Sequence, residues 1–441
     1  MELSSATSMQ IPVETPGRLT FLKGGVDFLS EKGGVTASWQ DSIRKTMPQL
    51  ADALSARQIS FLLGSGASSL IANDQQAGIP TMGPLAKDFC TQAGKRGDSR
   101  ILTKSERQSL QSRYGIDIAA PPYSSNLEKL MEALYSQRFV LVNSKRTADV
   151  AGLHLINSSI AKVKSYLLSK CTDGLFSPLI GDTRVLDLYK AFFRKLAFRD
   201  RSLPRPWVFT TNYDLFNETA MDQLGLPYCN GFSGTIERRF NPAIYRYALA
   251  EQLDLSERRW SAVDGFVYLC KLHGSVSWVQ DDHGLYPIRE LQSASQDGTV
   301  MIYPTPAKQN SSFGAPYSDL FREFQSRVAR EQSVIFTIGY SFSDEHVNNI
   351  IYQALTIPTF RLVVFGSPET NKEIQRLRDL HDPRVWIIWG ETPDSRPAQY
   401  FDSVVENLLP ETPADKVNEA VERVITNLLR PGSGSLGAAD D

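Results

Sequence analysis

Cysteine is scarce in this chain. Its four cysteines, Cys90, Cys171, Cys229 and Cys270, are scattered through 441 residues without a Cys-x-x-Cys pair, which argues against both a disulfide framework and a zinc ribbon. They read as free thiols in a reducing cytosol. An excess of charge of either sign is also missing: the formal net charge is −2, which gives no electrostatic footprint for direct nucleic-acid binding. No run approaches the roughly 18 consecutive apolar residues of a membrane span, and Met1 to Arg18 lacks a basic region followed by an apolar block. These absences predict a soluble, unexported, cytoplasmic protein. Gly (29) and Pro (24) stand at ordinary background, so no collagen-like or low-complexity class is indicated.

With 41% hydrophobic and 22% charged residues, the chain has enough apolar surface for one large or two smaller domains. Six short apolar runs stand out: Ile59 to Leu63, Trp207 to Thr210, Val267 to Leu272, Val334 to Ile338, Leu362 to Phe365 and Val385 to Trp389. Each ends in a Gly or a small polar turn followed by a helical pattern. Near-continuous apolar strands with helices between them predict an α/β fold around a parallel sheet buried on both faces. Ser125 with Glu128 reads as a capping box ahead of Leu127, Leu130, Met131 and Leu134. A second helix is read after Ser343 and Asp344, through Val347, Ile351 and Ala354, stopping before Pro358.

The expected organisation is an N-terminal arm (1–50), a core domain (51–392), a C-terminal helical segment (393–430) and a flexible Gly/Ser-rich, acidic tail (431–441). Within the core a helical insertion is expected at about 84–200, too long for a simple crossover, and a second insertion at about 231–261.

Ligands of an open parallel sheet bind at the carboxyl ends of its strands, and four runs end there in polar clusters. Gly64-Ser65-Gly66-Ala67-Ser68 is either a tight turn or a phosphate cradle in which glycines admit close backbone approach. Gly78-Ile79-Pro80 follows as a connecting or covering loop. In Thr210-Thr211-Asn212-Tyr213-Asp214, Asn212 and Asp214 suit a ribose hydroxyl and a carboxamide, or serve as local helix caps. His273-Gly274 offers a general base with room beside it, or a structural histidine. For His154, His283, His346 and His381 a structural role is expected. Gly339-Tyr340-Ser341-Phe342-Ser343-Asp344 suits an adenosine ribose, with Asp344 accepting from it or capping the helix.

Taken in order, the four clusters resemble the NAD-binding domain of the sirtuins. The first resembles the family's phosphate loop, and Gly78-Ile79-Pro80 its cofactor-covering loop. Asn212 and Asp214 fall where that family's Thr-Gln-Asn-Ile-Asp binds ribose and nicotinamide; His273-Gly274 resembles its catalytic His-Gly, and Gly339-x-Ser341 its ribose-binding Gly-Thr-Ser. The segments FTTNYDLFNETAMDQLGLPYCNGFSG (Phe209 to Gly234), KLHGSVSW (Lys271 to Trp278) and IYP (Ile302 to Pro304) are closer still to the sirtuin-like NADases of bacterial antiphage defence. The nearest likeness is to the subunit that assembles with a HerA-type ATPase, and it runs from roughly Ser60 to Leu409.

The resemblance implies a Rossmann-like parallel sheet, the sirtuin-type NAD-binding fold, with a helical insertion subdomain. It implies an NAD hydrolase that uses NAD as substrate, with Asn212, His273 and Asp214 catalytic. Gly64, Ser65, Gly66, Ala67, Ser68 and Pro80 would hold the pyrophosphate side, and Gly339, Ser341 and Asp344 the adenosine side. It implies a homo-oligomer on a HerA-type ATPase ring, or a nucleotide pyrophosphatase-like protein as alternative partner, with no zinc, no direct nucleic-acid contact and no membrane. Two other readings stand beside it: an NAD-dependent protein deacylase, and a non-catalytic NAD or ADP-ribose sensor. The zinc-dependent deacylases of the family carry two Cys-x-x-Cys pairs that this sequence lacks.

Overall fold

The computed structural model describes residues 17–30, 37–72, 75–91, 101–143, 149–172, 174–177, 179, 181–197, 199–200, 202–254, 259–263, 265–280, 288–294, 299–301 and 316–410. Its strands are β1 (Arg18–Lys23), β2 (Val26–Asp27), β3 (Gln58–Leu63), β4 (Ser69–Ala72), β5 (Gln75–Gly78), β6 (Trp207–Thr210), β7 (Tyr228–Cys229), β8 (Phe232–Ser233) and β9 (Arg238–Phe240). They continue with β10 (Ala250–Asp254), β11 (Arg259–Ala262), β12 (Val267–Lys271), β13 (Gly274–Gln280), β14 (Ile288–Glu290), β15 (Thr299–Met301), β16 (Ser333–Ile338), β17 (Arg361–Phe365) and β18 (Val385–Glu391). The longer helices are α1 (Trp39–Leu54), α2 (Met82–Thr91), α3 (Lys104–Tyr114), α4 (Leu127–Val142), α5 (Asp149–Thr172), α6 (Arg184–Ala197), α7 (Phe216–Leu224), α8 (Tyr317–Val328), α9 (Glu345–Ala354) and α10 (Lys372–Asp379).

Among the described residues nine strands form the main sheet, in the order β2-β1-β18-β17-β16-β3-β6-β12-β7. From β18 to β7 every neighbouring pair is parallel. Side chains alternate between the faces of a strand, and here both faces are dry. Phe61, Val208, Phe336 and Val363 enter one apolar core with Leu130, Val163 and Phe192 of the helical insertion. Their neighbours Leu62, Phe209, Ile335 and Leu362 enter the other with Phe324 of α8, Val347 of α9 and Leu377 of α10. This two-sided burial is why the sequence shows continuous apolar runs rather than alternation. The fold is a Rossmann-like α/β sheet, as expected.

Three local details differ from the sequence reading. After β3 the chain makes a single 3-10 turn, Ser65–Ser68, and then the β4–β5 hairpin instead of a helix; Ile79 N–H closes the hairpin onto Ser68 O at 2.7 Å. The cap of α4 is Asn126, whose Oδ1 accepts from Glu128 N at 2.8 Å and Lys129 N at 3.2 Å, while Ser125 Oγ turns back to Pro122 O. Within the segment expected as an arm, β1 pairs antiparallel with β18 along its whole length and buries Leu19 and Phe21. The expected C-terminal segment is described only to residue 410, and both the 431–441 tail and Ile302 to Pro304 lie outside the described residues.

The connection that matters for a site lies between β3 and β16. From β3 the chain adds β6 and β12 on one side of the sheet, then returns to place β16, β17 and β18 on the other. Such a switch in direction opens a crevice at the carboxyl ends of the two strands.

Candidate active site

At the base of the crevice the loops that start at Gly64 after β3 and at Gly339 after β16 interlock. Gly64 N–H donates to Ile338 O at 3.0 Å, and Gly66 N–H to Gly339 O at 2.9 Å. A Cβ on Gly64 would sit 2.4 Å from Gly339 O; one on Gly339, whose φ is +63°, would sit 2.4 Å from Ala67 N. Only glycine fits at either place. Because the Gly64, Gly66 and Ala67 N–H groups all donate within the protein, these three residues build the wall of the crevice by packing rather than by aiming those donors into it.

Above the interlock is a cavity of about 550 Å³, within the range of small-molecule sites. The residues that sequence reasoning scattered over nearly 280 positions converge there: Ser65, Ser68, Pro80, Asn212, Asp214, His273, Ser341 and Asp344 all line it. Gly64, Gly66, Ala67 and Gly339 lie behind them. The helical insertion closes one side with Asn126, Glu128 and Lys129 at the start of α4 and Leu167 and Cys171 of α5.

On one wall, Asn212 is nearly buried and its Nδ2 donates to Gly64 O and to Ser68 Oγ, both at 2.9 Å. Both amide hydrogens are therefore committed within the protein, so what Asn212 can offer a ligand is its acceptor oxygen, Oδ1. Ser68 Oγ in turn donates to Asp214 Oδ2 at 2.7 Å and lies 3.0 Å from Tyr189 Oη. The other Asp214 oxygen accepts from Phe216 N at 3.1 Å, the local capping role that the sequence left open. Burial pushes the Asp214 carboxyl above the usual carboxylate range, against the pull of Lys271.

Past the end of the neighbouring strand β12, His273 Nε2 lies 2.8 Å from Asp344 Oδ2. The same carboxylate caps α9, its Oδ1 accepting from His346 N at 2.9 Å and Val347 N at 3.2 Å. Asp344, read from sequence as an adenosine-side residue or a cap, thus caps the helix and orients the histidine. A base steered by a carboxylate is the arrangement that generates a defined tautomer and stabilises the charged ring after proton transfer. Ser341 Oγ bonds Ser343 Oγ at 3.0 Å, and its carbonyl accepts from Asn371 Nδ2 at 2.7 Å.

Sequence reasoning missed the layer beneath. Lys271 is buried, its Nζ 3.0 Å from Glu218 Oε1 and 3.0 Å from Ser275 Oγ. Tyr189 and Glu218 are buried with it. A lysine closing an otherwise apolar strand, Val-Tyr-Leu-Cys-Lys, was the available signal, since lysine is almost never fully buried without a partner. Among the described residues no group of three or more metal-ligating side chains comes together, and no helix is long and apolar enough to cross a membrane.

No curated protein matches this chain. Residues 206–381 match the family described as SIR2-like domain, a span that begins at β6 and carries Asn212, Asp214, His273, Gly339, Ser341 and Asp344. The first cluster precedes the matched span yet is locked to it through Gly64 and Gly339. The match supports a sirtuin-like domain over residues 206–381, consistent with the Rossmann-like sheet, and suggests NAD-related activity.

Proposed function

We propose that this chain is an NAD+ hydrolase that releases nicotinamide and ADP-ribose. The observation that carries the reading is the convergence, on one cavity, of an acceptor Asn212 and a carboxylate-oriented His273. Cleaving the nicotinamide–ribose bond builds positive charge on the ribose while the departing ring takes the bonding electron pair and becomes neutral. Water then forms the new C–O bond at the ribose and gives up a proton. Asn212 Oδ1 orders the ribose and the water, and His273 takes the proton, either from that water or from a ribose hydroxyl. Asp344 holds the ring for this step. Asp214 is assigned to the carboxamide, Ser65, Ser68 and Pro80 to the pyrophosphate side, and Ser341 to the adenosine side.

An unrestrained NADase is toxic to its host, so the reading extends to an effector of bacterial antiphage defence, silent until triggered, that depletes cellular NAD. Its support is the resemblance carried by Phe209 to Gly234 and Lys271 to Trp278. The same resemblance supports a homo-oligomer docked on a HerA-type ATPase ring in the cytoplasm, with a nucleotide pyrophosphatase-like protein as the alternative partner.

The test is to incubate the purified chain with NAD, alone and with each candidate partner, and follow nicotinamide. Release without any peptide is expected. Release only with an acetylated peptide, with the acetyl group recovered on ADP-ribose, would instead establish a deacylase. NAD binding without release under every condition would establish a sensor.

A further inference from the structure

We propose that Lys271 is a positioning residue that locks the Asn212–Asp214 loop to the strand pair carrying His273. Lys271 is the last residue of β12 and stands two positions before His273. Its ammonium reaches three separate segments. It donates to the Asp214 carbonyl and lies 3.4 Å from the Tyr213 carbonyl, both in the loop after β6. It pairs with Glu218 in the first turn of α7 at 3.0 Å, and with Ser275 at the start of β13 at 3.0 Å. Ser275 Oγ also lies 3.4 Å from the Tyr213 carbonyl, and Val276 N–H donates to that carbonyl at 3.0 Å.

Asn212 and His273 follow the neighbouring strands β6 and β12 and both line the cavity, so their spacing depends on what joins the two strand ends. Backbone pairing of β6 with β12 ends at Thr210 and Lys271, just short of Asn212 and His273. Beyond that point the ties among the described residues include Leu272 N–H to Thr210 O at 2.8 Å, the tilted Tyr213–His273 ring pair with centroids 6.4 Å apart, and the Lys271–Ser275–Val276 set on the Tyr213 and Asp214 carbonyls. Stability alone is a poor reason for a buried ion pair, since an apolar pair of similar volume commonly folds as well or better. What the ammonium adds is direction: its donors reach acceptors on three segments and hold them at hydrogen-bond length. Glu218 keeps the charge balanced. Its carboxyl is pushed up by burial, and its Oε2 has no hydrogen-bond partner among the described residues, so Lys271 is what compensates it.

Removing Lys271 alone strands a buried carboxylate, so the informative variant is Lys271→Met combined with Glu218→Gln, beside Glu218→Gln alone. Lys271→Gln with Glu218→Gln retains an uncharged donor at the same depth and serves as a second, milder pair. Two readouts are needed: steady-state kcat and KM for NAD, and amide hydrogen exchange over residues 211–216 by mass spectrometry. The kinetic readout rests on the NAD-hydrolase reading; the exchange readout does not.

The expected result is a folded Lys271→Met/Glu218→Gln protein with kcat lowered at least thirtyfold on the order of general-base misplacement, KM little changed, and faster exchange over 211–216. Glu218→Gln leaves the buried ammonium without its counter-charge and should be less stable than the parent, but where folded its kcat should stay within about threefold of the parent, because the bonds from Lys271 to the carbonyls survive, and the Gln/Gln pair should recover part of kcat. A folded Met/Gln variant with parental kcat and parental exchange would overturn the proposal. If the parent cleaves no NAD at all, the hydrolase reading fails, and the exchange rates alone still decide whether Lys271 holds the loop.

Discussion

Asp344 reaches His273 through one carboxylate oxygen, at 2.8 Å, and holds the first turn of α9 through the other. One side chain thereby fixes a candidate base relative to a helix of the scaffold. The two roles are separable, because asparagine caps a helix about as well as aspartate but carries no negative charge to steer and stabilise an imidazole. Asp344→Asn should therefore leave the thermal midpoint nearly unchanged while lowering kcat/KM for NAD by on the order of 10²-fold or more. A parallel fall in both, or in neither, contradicts the assignment.

The Gly64–Gly339 interlock makes a second, sterically controlled comparison. Gly225 at the end of α7 and Gly339 share a left-handed backbone, with φ of +63° at each, but a Cβ at Gly225 meets nothing within 4 Å. Gly225→Ala should cost about 1 kcal/mol, the strain of that conformation alone. Gly339→Ala adds a clash with the Ala67 backbone, so its loss in urea unfolding should be clearly larger and accompanied by weaker NAD binding. Equal losses would mean that the two loops are not packed as described.

Stability should also depend on pH through Asp214. Burial raises its carboxyl above the usual carboxylate range. A carboxyl with a raised folded-state pKa contributes stability fully below its unfolded pKa, near 4, and loses it as pH rises through the folded value. Asp214→Asn has no such loss and can keep both local hydrogen bonds. Its stability relative to the parent should climb from about pH 4 upward and then level off. Urea unfolding across that range checks this, and a difference that falls with pH has the wrong sign for a buried acid.

Strand β1, between the short edge strand β2 and β18, gives a prediction about architecture. Phe21 is fully buried and stacks edge-on against Trp386 of β18, with ring centroids 5.4 Å apart. Phe21→Ala should destabilise the chain by about 3–5 kcal/mol, as for other buried aromatic truncations. A change below about 1 kcal/mol would make this segment a loosely attached arm.

The six parallel strands were legible because burial on both faces writes an unbroken apolar run that few other environments produce. Each of the four polar clusters could be placed at a strand end for the same reason. Strand β1 was not legible: Arg-Leu-Thr-Phe-Leu-Lys alternates only partly, and its partner β18 lies more than 360 residues away. The β4–β5 hairpin was missed because Gly-Ser-Gly ahead of an apolar stretch reads equally as a helix start, and only the antiparallel pairing of Ser69 with Gly78 decides. Within the site, residue types pointed to Asn212, Asp214 and His273, but the partner of His273 did not follow from them. Asp344 sits 71 residues on, in a position that local reasoning fills with a helix cap. The Lys271–Glu218 pair was hidden for a similar reason, since one member is at a strand end and the other inside a helix, and only the packing of α7 brings them together.

On the proposed reading this cavity breaks the nicotinamide–ribose bond by means of His273 and Asn212. The most direct measurement is the rate of nicotinamide release from NAD by the parent chain, with its partner if required, beside His273→Ala and Asn212→Ala. Each variant is checked for folding and for NAD binding in the same preparation. The expected result is steady release by the parent and, in both folded variants, a loss of at least about 10²-fold in kcat with binding retained. Release that continues at the parental rate in His273→Ala, or a parent that binds NAD and never cleaves it, would contradict it.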